Sequence, residues 1–292
     1  MQLPEDFNND VLLSTMSTFG IGGPARHCVE VSSVEEMQEA LRYCYDNKLR
    51  YIILGKGSNC LFDDRGFDGV IIVNKITFIE HADGVFTVGG GYSFALLGIE
   101  ASKMGLSGLE FAAGIPGTVG GAVAMNAGAA GSDVSDVIVD VVHIDEKGES
   151  SLYKKEEIDF GYRHSSLQKI PGAVVAATLS LKHDPQAFNK QNEIVRYRKE
   201  TQPWGERSAG CVFRNPASLS AGALIEGSFM KGAKVGGARV SNVHANFIVN
   251  EGGATCEDVF ALIATIKKQV KKYYDVVLEE EIRYIPYQRE EL

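Results

Sequence analysis

Two glycine strings and a small set of charged and thiol side chains are the parts of this sequence whose types could do chemistry. Gly55-Lys56-Gly57-Ser58-Asn59 presents successive backbone N–H groups without side-chain obstruction, together with a hydroxyl and an amide. Such a turn wraps a pyrophosphate, and it equally reads as a plain strand-ending turn. Gly114-Ile115-Pro116-Gly117-Thr118-Val119-Gly120-Gly121 lies in a small-residue stretch, 110–131, whose backbone can approach a flat ligand or a neighbouring strand closely. Asn126 offers polar contacts inside that apolar lining, and tight internal packing without a ligand is the other reading. The Walker GxxxxGK loop and a GxGxxG turn between strand and helix are both lacking, which disfavours a Walker ATPase and a Rossmann domain.

Among the charged groups, Tyr162-Arg163 follows Phe160-Gly161 in a turn between strands. An arginine there is either solvated or a binder of carboxylate or phosphate. The segment from Arg207 through Arg214-Asn215-Pro216 combines two guanidinium groups, a small-residue turn and the Cys211 thiol. By type a cysteine is most often a buried small hydrophobe; facing a cleft, it can donate a proton. Glu279-Glu280-Glu281 would ordinarily be a solvated run. In a strand, alternation sends Glu280 to one face and Glu279 and Glu281 to the other, so one carboxylate could enter a site.

Periodicity and caps give the elements that must carry these residues. Ser32 or Ser33 caps a helix over 34–47, with Val34, Met37, Leu41 and Tyr45 on one face. A strand at 51–54 ends in the first glycine string, and an apolar run at 70–73 follows a turn-rich acidic stretch. A strand at 85–88 stops at Gly89-Gly90-Gly91, after which Ser93 caps a helix with Phe94, Leu97, Ala101 and Met104 inward. Strands are expected at 137–144 and 173–181. His183-Asp184-Pro185 breaks the pattern before a polar helical stretch at 186–202, so a boundary is expected there, with domains over 1–182 and 183–292. The second should hold a helix over 257–272, with Val259, Leu262, Ile263, Ile266 and Val270 inward, and a final strand near 276–285.

The composition is that of a globular chain of 292 residues with room for two domains. Its outlier is glycine, 32 in all, with twelve between Gly89 and Gly131. A net charge of -9 argues against a broad basic face for nucleic acid while leaving room for one small anionic ligand. Five scattered cysteines without a CxxC pair, behind an N-terminus lacking a basic start and an apolar stretch, imply a reduced, cytoplasmic protein without disulfides. The uncharged stretch 111–132 is too rich in glycine and alanine for a membrane span, and a buried, backbone-rich loop system is expected instead.

Seven strings occur together, in order and over nearly the whole chain. They are Ser17-Thr18-Phe19-Gly20-Ile21-Gly22-Gly23, the 55–59 string, Gly108-Leu109-Glu110-Phe111-Ala112-Ala113 running into the 114–121 string, Asn126-Ala127-Gly128, Phe160-Gly161-Tyr162-Arg163, Ser208-Ala209-Gly210-Cys211-Val212-Phe213-Arg214-Asn215-Pro216, and Leu278-Glu279-Glu280-Glu281-Ile282-Arg283. The set resembles the MurB family of FAD-dependent, NADPH-using bacterial cell-wall reductases. The resemblance implies an α+β fold: an FAD-binding domain of the vanillyl-alcohol-oxidase (PCMH) type in two subdomains, then a smaller α+β substrate-binding domain whose last strand returns to the active site. With no insert between Ile170 and Arg207, the chain resembles the short form that lacks a tyrosine-bearing loop.

Residue by residue, the resemblance makes Arg163, Cys211 and Glu281 catalytic, Cys211 standing where the family more often has a proton-donating serine. Asn215 matches a substrate-binding asparagine, and Tyr162, Arg207 and Arg214 are implied as further substrate contacts. Non-covalent FAD falls to Gly55, Lys56, Gly57, Ser58, Asn59, Gly114, Ile115, Pro116, Gly117, Thr118, Gly120, Gly121 and Asn126. The implied reaction is NADPH-dependent reduction of UDP-N-acetylglucosamine enolpyruvate to UDP-N-acetylmuramate, completed by a proton from Cys211. No metal, nucleic acid, membrane or obligate protein partner is expected. Two rivals bear on it. An oxidase of a small alcohol or sugar on the same fold would lack the set around Arg163, Arg207 and Asn215. A non-catalytic nucleotide-binding or interaction protein would have the glycine loops without Arg163, Cys211 and Glu281.

Overall fold

Ser33 starts the first helix, α1 (Val34–Asp46): its hydroxyl accepts from the Glu36 N–H, and the Glu36 carboxylate accepts in return from the Ser32 N–H. In this computed structural model, which describes residues 7–217 and 219–288, the chain forms two units that are discontinuous in sequence. Among the described residues the first comprises 7–8, 27–56 and 69–197, and the second 9–26, 57–68 and 198–288.

The first unit has two cores. In one, Met37, Ala40, Leu41 and Cys44 of α1 pack with Val29, Val31, Val70 and Ile72. Tyr45, expected inward, is instead 44% exposed beneath the Lys147 ammonium. The buried stripe runs 37, 40, 41, 44, so position 45 falls on its flank. Strand Tyr51–Leu54 pairs parallel with Phe67–Asn74, and the first glycine string leaves from its carboxyl end. The other core lies against a five-stranded antiparallel sheet whose strands run in space Ser150–Lys154, Ile138–Asp145, Gly172–Ser180, Val85–Gly89, Ile79–Ala82. Helix α2 (Phe94–Lys103), capped by the Ser93 hydroxyl, buries Phe94, Leu97 and Ala101 there; Met104, expected inward, follows the last helical residue and is exposed. The uncharged stretch 111–132 holds the end of a short 3-10 turn, Glu110–Gly114, and helix α3 (Val119–Ala124). Among the described residues no helix is long and apolar enough to cross a membrane. Helix α4 (Ala187–Thr201) follows as the polar helix expected at 186–202.

The second unit packs α5 (Ala221–Gly227) and α6 (Cys256–Tyr274) around one core with the antiparallel strands Lys234–Val235, Ala238–Val240 and Ile248–Asn250. Thr255 and Asp258 close a capping box at the start of α6, and all five residues expected inward are buried. The expected final strand over 276–285 is corrected: only Arg283–Ile285 is strand, parallel to Cys60–Phe62. Its pairing partner changes along the way. Residues 279–281 bond to 212 and 214, after which 283–285 turn to 60–62, so no ladder is continuous.

Candidate active site

In the first unit the second glycine string is laced through its backbone to the segment from Gly90 to the start of α2. Gly120 N–H donates to Gly90 O (2.8 Å), Val119 N–H to Tyr92 O (2.9 Å), and Phe94 N–H to Gly117 O (3.2 Å). A Cβ on Gly120 would lie 2.9 Å from Val174 O, one on Gly90 would collide with that same carbonyl oxygen, and one on Gly55 would strike the Thr118 hydroxyl. These glycines are therefore required by close approach of protein to protein. Gly121 differs: it is exposed, and a Cβ there would meet nothing nearer than Thr118 Oγ1 at 3.5 Å. Gly114 is buried, Ile115 and Gly117 half-buried, and Pro116 exposed. Lys56 is exposed, its ammonium donating to Ser93 Oγ (3.1 Å). Ser93 thus serves the α2 cap and the glycine loop together, a link that its capping signature did not disclose.

Arg163 occupies the tip of a two-residue hairpin between strands Phe160–Gly161 and His164–Ser165. It holds a left-handed backbone, φ +54°, with its guanidinium carbon 5.1 Å from the centre of the exposed Tyr162 ring. Asn126 is nearly inaccessible and spends its amide on protein: Nδ2 donates to Gly161 O and Oδ1 accepts from Ser135 N–H, both at 3.0 Å.

In the second unit the chemistry-bearing strings are held by amide side chains. Gly57, at φ +59°, backs onto Met16 and Ser17. Ser58 and Asn59 are half-buried; Asn59 Nδ2 donates to Glu281 O (3.3 Å), and Asn59 O accepts from Arg283 N–H (2.9 Å). Val212 N–H donates to Asn246 O, and the buried Asn246 side chain clasps both backbone groups of Phe213 at 2.8–2.9 Å. Glu281 N–H donates to Val212 O (2.7 Å) and Arg214 N–H to Glu279 O (2.9 Å). These bonds lay the 279–281 segment alongside 212–214, next to Cys211 in the chain. Glu280, opposite Phe213, is engaged by the Lys267 ammonium at 2.8 Å, which leaves Glu279 and Glu281 on the other side of the alternation.

Arg207 is exposed, its stem beside Gly20 and its carbonyl accepting from Asn250 N–H; Arg214 is half-buried. Asn215 is exposed, and its Oδ1 accepts from Ala221 N–H (3.0 Å) at the start of α5. Burial pushes the thiols of Cys28 and Cys60 up to about 11 and those of Cys44 and Cys256 up to about 12. These four stay protonated and unreactive at neutral pH. Cys211 is half-buried beside Gly210, whose own left-handed position has open space around it.

Sequence reasoning also passed over Asp63. This buried carboxylate accepts from Arg65 Nε (2.9 Å), Arg65 Nη2 (2.7 Å) and the Tyr284 hydroxyl (2.7 Å), joining strand Cys60–Phe62 to the chain's last strand. The Arg65 guanidinium, helped by its N–H and by Tyr284, holds the Asp63 carboxyl well below the usual carboxylate range against the opposing effect of burial. Among the described residues, no group of three or more His, Cys, Asp or Glu is arranged to hold a metal ion.

Comparison with known proteins gives this geometry a context. The profile of an FAD-binding domain matches residues 25–150, and that of the UDP-N-acetylenolpyruvoylglucosamine reductase C-terminal domain matches 202–285. The UDP-N-acetylenolpyruvoylglucosamine reductase of Protochlamydia amoebophila (strain UWE25) is 51% identical over 98% of this chain and 96% of its own length. That of Chlamydia trachomatis serovar A is 46% identical over 97% of this chain and 98% of its own. The crystal structure of UDP-N-acetylenolpyruvylglucosamine reductase (MurB) from Thermus caldophilus superposes with a TM-score of 0.83 at 38% identity, covering 96% of this chain and all of that one.

Proposed function

The chain belongs to the UDP-N-acetylenolpyruvoylglucosamine reductase (MurB) family of FAD-dependent oxidoreductases in peptidoglycan synthesis, and from that premise we propose how its own residues divide the work. The α+β fold with an FAD-binding domain of the vanillyl-alcohol-oxidase type is the expected one. The residues present fit FAD: the exposed Gly121 adds no bulk beside Thr118, and the 55–59 turn combines two glycines with the exposed Lys56 and the half-buried Ser58 and Asn59. When bound, FAD supplies the hydride chemistry that no side chain can, with NADPH as the source of electrons.

The substrate is UDP-N-acetylglucosamine enolpyruvate. Its carbon–carbon double bond takes a hydride at the terminal carbon and a proton at the carbon bearing the ether oxygen, giving UDP-N-acetylmuramate. The negative charge that builds on the carboxylate side is met by the Arg163 guanidinium, which binds the carboxylate and orients it. Cys211 Sγ carries the proton delivered to carbon. Glu281 holds the geometry around that centre, and Tyr162, Arg207, Arg214 and Asn215 receive the remainder of the nucleotide sugar. One observation supports this assignment: the Glu281-to-Val212 hydrogen bond lays the Glu281 backbone alongside the Cys211 string, whose Phe213 is clasped by Asn246. That all five cysteines are thiols rather than disulfides supports a reducing, cytoplasmic setting.

The test is anaerobic and spectroscopic. Purified protein should be yellow, bleached by NADPH and restored by the enolpyruvyl substrate. Cys211→Ser should keep the second half-reaction, while Cys211→Ala should slow it about a hundredfold or more. An alanine variant reoxidised at full rate removes Cys211 from the chemistry.

A further inference from the structure

Arg163 is held in an unfavourable backbone conformation by side chains whose partners lie on α3. Left-handed φ is rarely adopted by a residue with a Cβ, and arginine lacks the short polar side chain that eases it in Asn and Asp. The hairpin that imposes it is docked onto the last turn of α3, where helix carbonyls have no helical partner. Ala124 O accepts from both Ser165 Oγ (2.7 Å) and Gln168 Nε2 (2.8 Å), and Gln168 Nε2 also reaches Arg163 O at 3.3 Å. From the other side Asn126 Nδ2 takes Gly161 O, two residues before the arginine. Asn126 is itself left-handed, φ +43°, and ends α3: Asn126 N–H donates to Val123 O and Ala127 N–H to Ala122 O. Its amide is thus aimed by the same turn that stops the helix. These bonds tie the arginine to a helix that begins with Thr118 and Gly120-Gly121, at the end of the second glycine string.

We propose that Gln168 and Asn126 are positioning residues for Arg163: they clamp the hairpin tip, one through the carbonyl of Arg163 and one through that of Gly161, and so set where the guanidinium points. This rests on Arg163 as the substrate-carboxylate residue. It gives Asn126 a task distinct from the flavin contact expected of it, and Gln168 one that its sequence context did not suggest.

The experiment uses flavin-loaded holoenzyme and measures substrate affinity without turnover, from the perturbation of the oxidised flavin spectrum by enolpyruvyl substrate. Gln168→Met keeps side-chain length and removes the donor; Asn126→Gly keeps the left-handed helix end and removes the amide. Each should weaken substrate by about three- to tenfold, the range of a lost hydrogen bond to the hairpin tip, and Gln168→Met should leave flavin content unchanged. Arg163→Ala should weaken it by about a hundredfold, as loss of a charge-assisted contact does. Adding Gln168→Met or Asn126→Gly to Arg163→Ala should then cost nothing more, because a positioning effect has no target left. Wild-type affinity in the single variants, or an equal further loss in the Arg163→Ala background, overturns the positioning role while leaving Arg163 in place. Unchanged affinity in Arg163→Ala alone would instead remove the assignment of Arg163 on which this rests.

Discussion

In the first unit Gly90, Gly120 and Gly55 stand where a single methyl group would run into Val174, Gly90 or Thr118, and the second glycine string is secured by backbone-to-backbone hydrogen bonds. In the second unit the corresponding work falls to polar side chains: Asn246 clasps Phe213, Asn250 reaches Phe19 O and Gly20 O, Asn59 reaches Glu281 O, and Asp63 gathers Arg65 and Tyr284. One region is shaped by what is left out of the side chains, the other by what the side chains hold. They should therefore fail differently, the first through added volume and the second through lost partners or lost charge.

The largest effect is expected where volume meets backbone. Gly90→Ala should destabilise the protein by about 3 kcal/mol or more, because a carbonyl on the central strand of a sheet cannot yield as a side chain would. Thermal melting and flavin content should fall together, and a variant that melts as wild type does would show that the lacing tolerates volume.

A smaller loss should follow Asp63→Asn, about 1–3 kcal/mol for hydrogen bonds to a buried charged acceptor. This change also carries a pH signature. The folded Asp63 carboxyl is held below its unfolded value, so the stability it contributes is complete above roughly pH 4 and disappears as pH falls through the lower folded value. Melting temperatures of wild type and variant should thus converge in acid and separate toward neutrality. Parallel curves would mean that the carboxylate adds nothing in its charged form.

The smallest effect on folding belongs to Gly121→Ala, on the exposed side of the same glycine string. Replacing a helical glycine there should leave stability unchanged or raise it by about 0.5–1 kcal/mol, while flavin affinity drops. Loss of flavin with a wild-type melt of the apoprotein would separate a glycine needed by ligand from those needed by protein; retention of both would merge the two classes.

Much of this layout is legible in the amino-acid sequence because its signals are local. Ser33 and Ser93 announce two helices through side-chain caps, and the inward residues of α6 follow a period that the chain states for itself. The strands next to the glycine strings are equally plain. What the sequence hides depends on partners far along the chain. The 276–285 segment reads as one strand, yet its neighbours change from 212–214 to 60–62 midway. Tyr45 and Met104 read as inward because periodicity does not report where a stripe or a helix ends. Asn126 reads as a lining residue, since its ties to Gly161 and Ser135 span 35 and 9 residues. Asp63 carries no motif, as its donors come from one near neighbour and one residue 221 positions away.

The discontinuity of the second unit has a consequence for how the chain is made. Residues 9–26 and 57–68 leave the ribosome early, but the segments that complete their unit begin at 198, and strand Cys60–Phe62 waits for Arg283–Ile285. During synthesis the first unit can close its two cores while those early segments remain without their strand and helix partners. A chain stopped before residue 279 would keep the Cys211 string yet lack the row that pairs with it, so premature termination would strand the thiol region rather than yield a slightly shorter enzyme.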